Sequence, residues 1–571
     1  MVKPYFAKKN LKNSILKGFL FLGGLILINL ILDRYFRRFD FTDEKRFTLS
    51  STSIRILESL KEPISIKVFL EGDFPGPFKR LKNETEEFLS ELKAYSHGNL
   101  KFSFINPLES SGGKASSLPD SLYKYGIQPT NIQVKTKEGN TQKEIFPGAF
   151  IQNSHRMMAV NLMQNQNQLG GGGDSENLLN HSVEGLEYIF VDAIKKVSEE
   201  NLPLVGLLGG DGEMFGPKAA DMVKTLKTSY RLGKVNLSSF PLDSLIKIKV
   251  LILVKPSQKF SETQKYKLDQ YLMYGGKILG FIDHVNADLD SMGKNGSILA
   301  FANNLNLDDF LFRLGIRINY NLVRDLNCAP IPVVNGPAEQ GSNQSLQPWV
   351  YYPLGMPTGE NPLVRNLDPI RLEFTSTLDT IAVKGIKKTF LLSTSPYTKM
   401  VSTPFQISLR EVSAPAEDTK TFNQGKKNLA ILVEGSFKSS FQNRTIEGAD
   451  ASLPFLSKSI PTSIIIVSNG NLPLNQINSL EKSIYPLGYD KYSGQVFGNK
   501  IFLQNAVEYL SGNSDVLQLR NKGIKLRLIN KLLVEEERGY HQIMNFFIPI
   551  LWVICTGLAF GLYRWVRYAK S

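Results

Sequence analysis

The sequence predicts an α/β membrane protein with one transmembrane helix at each end and a large multi-domain α/β ectodomain between them. Three observations lead there. Two uninterrupted apolar runs lie near the chain ends, at residues 15–32 and 543–563. Between residues 202 and 310, short and continuously apolar stretches alternate with helical patterns, as in a parallel sheet covered on both faces. Nearer the N-terminus, a strand–helix–strand pattern marks a β-α-β unit.

The first run, ILKGFLFLGGLILINLIL, has 18 residues, the short end of what spans a bilayer. Lys17 can snorkel at its edge, and Asn29 is its other strongly polar residue. It ends in Asp33-Arg34-Tyr35-Phe36-Arg37-Arg38 with no small-x-small cleavage site. An uncleaved anchor is therefore expected rather than a signal peptide. The second run, IMNFFIPILWVICTGLAFGLY, has no charge and would span about 30 Å as a helix. Tyr563 and Trp565 sit at its end like an interfacial belt.

Lys3, Lys8, Lys9, Lys12 and Lys17 precede or open the first run; Arg564, Arg567 and Lys570 follow the second, and Glu535, Glu536 and Glu537 precede it. The positive-inside rule places both tails, 1–14 and 564–571, in the cytoplasm. Arg34, Arg37 and Arg38 oppose this for the first helix. Two spans put both ends on one side, and the C-terminal charges are the cleaner set. The intervening chain then faces outward.

The formal charge of +14 does not indicate nucleic acid. No basic run is interleaved with aromatics in mid-chain, and much of the excess flanks the apolar ends. Of the two cysteines, Cys555 lies inside the second run, so a disulfide with Cys328 is not expected.

Residues 33–198 read as a first periplasmic domain. Ser50 or Ser51 caps a short helix through Leu60, ended by Pro63. Residues 64–70 (ISIKVFL) alternate as a strand. Residues 78–95 form a helix with Glu84, Glu86, Glu87 and Glu91 on its wet side, and residues 100–105 (LKFSFI) form a second strand. Two or three strands follow in 131–163, with Glu138-Gly139-Asn140 as a hairpin turn. Residues 164–174 (QNQNQLGGGGD) are a polar loop. Residues 175–197 form an amphipathic helix.

Residues 199–515 read as a second, Rossmann- or flavodoxin-like domain. Its strands fall at 204–208 (LVGLL), 250–254 (VLILV), 277–282 (KILGFI), 428–433 and 463–467, with helices at 261–274 and 500–510. Residues 325–425, rich in Pro, Gly and Ser, read as an inserted β-rich region. Residues 516–542 are juxtamembrane. Within them 521–537 (NKGIKLRLINKLLVEEE) could be a lever or a strand with a polar linker.

Catalytic signatures are lacking. The turn Leu208-Gly209-Gly210-Asp211-Gly212-Glu213 follows a strand, but Phe215 stands where a third glycine of GxGxxG would be. GxxxxGK[ST] does not occur. His97, His155, His181, His284 and His541 show no metal-ligand spacing. Gly435-Ser436-Phe437 does not meet G-x-S-x-G. Asp283-His284, at a strand end, is the best single candidate for a site, but the preferred reading is a satisfied loop histidine. No catalytic, cofactor-binding or metal residues are predicted.

Several segments together resemble a known family. They are Phe39-Asp40-Phe41-Thr42 with Lys45-Arg46-Phe47-Thr48-Leu49-Ser50, 180–193 (NHSVEGLEYIFVDA), 268–277 (LDQYLMYGGK), Phe281-Ile282-Asp283, 362–376 and Leu391-Leu392-Ser393-Thr394-Ser395. In order and spacing the chain resembles the gliding-motility-associated ABC-transporter auxiliary subunits, the GldG family. Gly210-Asp211-Gly212-Glu213 departs from the Gly-His-Gly-Glu of such proteins.

The resemblance implies a non-enzymatic subunit without a cofactor, in a bacterial inner membrane. It implies an ABC permease and a separate ATPase as partners, together with the lipid bilayer and an envelope protein or glycan, and no nucleic acid. It also implies outer domains similar to the GIFT module of intraflagellar transport proteins. Two other readings stand beside it: a free-standing envelope receptor or tether, and an enzyme acting on envelope polymers, for which the sequence offers no acid/base pair.

Overall fold

In a computed structural model of the chain, the structure describes residues 18, 20–21, 23–24 and 48–568. Excepted from that range are 73, 109–116, 128, 137–138, 164–178, 180–181, 210–215, 336–342, 414–418, 443, 445, 449, 451, 479–482 and 522–536. Most of the first apolar run and its flanking charges, the 164–174 loop, the 210–213 turn, His181 and nearly all of 521–537 thus lie outside the described residues. The chain divides into two units, 1–523 and 524–571.

In the first unit a small sheet is built as expected from a β-α-β unit. Strand β1 (Ile64–Val68) pairs in parallel with β2 (Leu100–Phe104) across helix α2 (Gly76–Tyr95). Strands β5 (Gly148–Gln152) and β6 (Met157–Asn161) extend it antiparallel, in the order β2-β1-β5-β6. Between β2 and β5 lies helix α3 (Ser117–Lys124). A separate hairpin follows it, β3 (Thr130–Thr136) and β4 (Gly139–Ile145). Gly139 and Asn140, expected in the turn, instead pair with Thr136 and Lys135 as part of β4, and Glu138 lies outside the described residues.

Ile64, Ile66 and Val68 alternate inward, as a two-residue period requires. They meet Leu81, Leu89 and Leu92 of α2 and Phe190, Val191 and Ile194 of helix α4 (Leu186–Ser198). Helix α1 (Ser51–Glu58) stops two residues short of Leu60, and Ser50 is its cap, accepting from Ser53 N. Glu91 is buried, contrary to the solvated face expected for it: it points inward beside Leu92, while Glu86 and Glu87 remain exposed.

The large sheet has ten strands. Its parallel half comprises β7 (Leu204–Leu208), β8 (Arg231–Val235), β9 (Val250–Val254), β10 (Lys277–Phe281) and the late strand β15 (Thr462–Val467). They run β8-β7-β9-β10-β15, all parallel. In order along the chain this is 2-1-3-4-5, the flavodoxin-like arrangement.

Both faces of this half are covered, so β9 reads VLILV with every residue buried. Val250, Ile252 and Val254 enter one core with helix α5 (Ala220–Lys227) and helix α7 (Asn499–Ser511). Leu251 and Leu253 enter the opposite core with helix α6 (Glu262–Met273). Helix α6 begins at a capping box, since Ser261 Oγ accepts from Gln264 N and Gln264 Oε1 accepts from Ser261 N.

The antiparallel half adds β14 (Asn428–Gly435), β13 (Ile386–Ser393), β12 (Asn343–Pro357) and β11 (Cys328–Asn335), outward in that order from β15. The region 325–425, expected as a β-rich insertion in the second domain, is β-rich and joins the large sheet. Three of its strands continue the large sheet, because the antiparallel β14 offers β13 a free edge, and a fourth short one, Ile370–Arg371, pairs with β12 beside that path. Pro330 and Pro332 occupy β11, where the absence of a donor is tolerated at a sheet edge.

After α7 the chain returns to the small sheet. Helix α8 (Ser514–Leu517) and residues 518–521 place Val516, Leu517 and Leu519 in the same core as Leu49 and Leu57. Arg55 of α1 lies 3.5 Å from Asp515. Helix α1 and the segment 514–521 thus sit side by side.

The second unit contains helix α9 (Arg538–Tyr568), 31 residues with Pro549 inside it. It is long and apolar enough to cross a membrane. Its apolar side chains are exposed, Trp552 and Val553 at 71% each.

Candidate functional site

In open α/β sheets, ligands sit outside the carboxyl ends of the strands, where the strand order reverses. Here that point lies between β7 and β9. Among the described residues, two features occupy the carboxyl edge: a charged network beyond β9, β10 and β15, and a cavity beyond β8, β7 and β9.

The network centres on Lys255, the first residue after β9. Its φ of +43° is a left-handed conformation that few non-glycine residues adopt. The backbone is held there by Lys255 N donating to Phe281 O at 2.9 Å. The ammonium donates to Asn471 Oδ1 at 2.6 Å and lies 3.7 Å from both Asp283 Oδ2 and Asp288 Oδ2.

Asp283 is buried, and its Oδ1 accepts from Gly470 N at 2.5 Å. A Cβ at Gly470 would stand 2.6 Å from Asp283 Oδ2 and 2.7 Å from Lys255 Cγ, so only glycine fits this approach. Burial raises the Asp283 carboxyl to about 6 against the opposing pull of Lys255. The network continues from Asn471 Nδ2 to Glu373 (3.2 Å) and from Glu373 to Arg371 (2.9 Å), whose guanidinium covers the Tyr352 ring.

Every carboxylate of this network faces a cation or an amide. It ties three strand ends together and presents no nucleophile beside a base. Among the described residues no group of three His, Cys, Asp or Glu side chains could hold a metal.

His284, next to Asp283, is buried. Its Nδ1 lies 3.0 Å from Ile318 O, a carbonyl that can only accept, so Nδ1 carries the proton. Burial lowers its pKa, opposed by Asp308. The ring stacks on Tyr320, whose hydroxyl donates to Asp308. It is the satisfied histidine that the sequence allowed. His97 and His155 are exposed, His155 beside Glu62. Phe437, after Gly435-Ser436, is buried, and its N–H donates to Ser459 Oγ in a structural turn. Cys328 is pushed up to about 12, by burial first and then by Asp325, so it stays a thiol.

The cavity has a volume of about 80 Å³. Leu208 and Gly209 line it from the end of β7, Asn236 and Ser238 from the end of β8, and Leu253 and Val254 from β9. Gln264 forms part of its wall, donating to Ser238 Oγ at 2.9 Å.

Sequence reasoning named Asp283 but missed Lys255, Asn471 and Glu373. Lys255 directly follows an apolar strand, and that position was the available signal. Asn471 and Glu373 arrive from far along the chain.

Fold and edge together define an α/β protein with a flavodoxin-like parallel half-sheet and one apolar, membrane-length C-terminal helix. The family profile described as an ABC-type uncharacterized transport system matches residues 202–506, more than half of the chain. The chain belongs to that family. A profile for a domain of unknown function matches residues 43–152. An uncharacterized protein of Borreliella burgdorferi (strain ATCC 35210 / DSM 4680 / CIP 102532 / B31) is 21% identical over 444 residues, covering 76% of this chain and 80% of that protein.

Among solved structures, the mmIFT52 N-terminal domain is 13% identical with a TM-score of 0.30, covering 54% of this chain and 97% of that one. An exo-beta-1,4-mannosidase from Opitutaceae bacterium strain TAV5 is 8% identical with a TM-score of 0.18, covering 84% and 55%. Neither likeness bears on function.

Proposed function

We propose that the chain is a non-catalytic auxiliary subunit of an ABC transporter complex associated with gliding motility. The observation that carries this reading is the family match over residues 202–506, joined to an apolar helix long enough to dock in a membrane. In this reading residues 15–32 and 543–563 anchor the chain to a permease in a bacterial inner membrane. Both tails face the cytoplasm, and 33–198 and 199–515 form two periplasmic domains. A separate ATPase supplies the energy. Gly557 and Gly561, four residues apart on α9, allow a neighbouring helix to approach closely. The outward region presents the carboxyl edge of the large sheet to a ligand or envelope partner.

The test is purification of the tagged full-length chain from mild detergent. The expected result is a permease and an ATPase in fixed ratio with it. Recovery of the chain alone, from membranes that contain both, would overturn the proposal.

A further inference from the structure

We infer that helix α9 pairs with α9 of a second copy of this chain, parallel and in register, along a seam made by Asn545, Pro549, Trp552, Thr556, Ala559 and Tyr563. This deepens the proposed function: it rests on the reading of α9 as a membrane span, and not on the transporter or its substrate.

The seam residues follow one another by steps of four, three, four, three and four. That is the period of about 3.5 residues with which one helix lies along another. The side chains of 543–563 that hydrogen-bond through nitrogen or oxygen are Asn545, Trp552, Thr556 and Tyr563, and all four fall on this seam. Such groups gather where a membrane helix meets protein, because lipid tails give them no partner.

Pro549 adds to that need. It lies inside the helix and has no N–H, so the carbonyl of Asn545, one turn earlier, loses its intrahelical donor. The Asn545 side chain is exposed on the same turn. Trp552, 71% exposed near the middle of the run, brings an indole N–H into the hydrocarbon.

The seam suits a copy of itself. Two copies inserted the same way cross the bilayer in one direction, so a two-fold axis along the membrane normal sets each seam residue against its twin. An amide and a hydroxyl each donate and accept, so Asn545 meets Asn545 and Thr556 meets Thr556 as partners. The amide of one copy can also donate to the carbonyl that Pro549 frees in the other. Ala559 lets the backbones approach, and 543–563 carries no charge to repel its twin. A single Asn in such a seam fixes register and the number of helices. At about 100° per residue, Gly557 and Gly561 stand roughly 120–160° round the helix from Asn545. The glycine face therefore stays open to a permease.

The experiment uses the full-length chain in native membranes, carrying Cys328→Ser and Cys555→Ala. One cysteine is added, by Ala559→Cys on the seam or by Ile554→Cys on the opposite face. After oxidation with copper phenanthroline, Ala559→Cys should give a disulfide-linked product of twice the 64.0 kDa chain mass, and Ile554→Cys should give little. Asn545→Leu should lower that yield roughly three- to tenfold, and Asn545→Gln should retain it. A second measurement needs no added cysteine: two differently tagged copies, co-expressed and extracted in mild detergent, should retrieve each other, less so with Asn545→Leu.

Equal yields from the two cysteine positions overturn the inference. So does a crosslink to a different protein, indifference to Asn545→Leu, or no pairing in either measurement. The span itself is scored through native Cys555, near the middle of α9, with Cys328→Ser in place. Its thiol should resist a maleimide in intact membranes and react after denaturation. Labelling in intact membranes sinks the span reading and this inference together, and protection without pairing sinks this inference alone. Pairing with no permease or ATPase recovered sinks the transporter alone.

Discussion

Asp283 and Lys196 show how differently two buried charges can behave. Burial raises the Asp283 carboxyl to about 6, above its usual value near 3.9. The folded protein therefore holds a proton there more tightly than the unfolded chain does. Its contribution to stability is complete below about pH 4 and is lost as pH rises through about 6. A shift of about two units corresponds to about 3 kcal/mol. Asp283→Asn should flatten the fall in Tm between about pH 4 and pH 7, measured by thermal melts across that range. An unchanged pH profile would refute the assignment.

Lys196 is the opposite case. Burial alone would lower it, but Asp192 at 2.6 Å and Glu508 at 3.6 Å hold it well above its usual value. Tyr188 also donates to Glu508, so the cluster binds α4 of the small sheet to α7 of the large one. Lys196→Met leaves two buried carboxylates without their cation and should cost about 3–5 kcal/mol in urea unfolding. Adding Asp192→Leu and Glu508→Leu should recover most of that loss.

Helix α8 is four residues long and cannot be stable alone. It persists because Leu517 is fully buried with Leu57 and Phe190. Leu517→Ala is expected to cost about 2–5 kcal/mol and Asp515→Ala less than about 1 kcal/mol, since the Arg55 pair is exposed. Equal effects would argue against a docked helix.

Elements with a strong period or an uninterrupted apolar run were legible in the sequence: β1, β2, β7, β9, β10, α2 and α6. Helix α8 was not, because its amphipathic pattern is too short to register. The strands of 343–393 were legible as β but not as members of the large sheet, because pairing partners as far apart as Ile386 and Gly435 leave no local period. The family-like segments gain physical roles here. Leu49 fills the small core and Ser50 caps α1, while Glu187 accepts from Ser50 N and Ser53 Oγ. Asp269 accepts from Ser439 Oγ and Ser440 N, across 170 residues of sequence. Such motifs hold distant elements together, which is why they read as neither catalytic nor locally periodic.

At the scale of the molecule, the two-anchor proposal predicts a specific failure. Removing residues 538–571 should leave the chain in the membrane fraction after alkaline carbonate extraction, held by residues 15–32. Removing both segments should release it. Release after the first deletion alone would leave α9 as the sole anchor.

The side-by-side meeting of α1 and α8 also bears on how the protein is made. The groove filled by Val516, Leu517 and Leu519 is completed by helix α4, whose last residue, Ser198, is synthesised some 320 positions earlier. At about 5–20 residues per second, the nascent small sheet waits roughly 16–64 s for this piece. Until then an apolar groove stands open beside a growing chain. Ribosomes that stop early would release a product with its core exposed, marked for proteolysis by what it lacks. Residues 514–521, which precede α9, close that groove, so the core of the small sheet is finished only as α9 is being made.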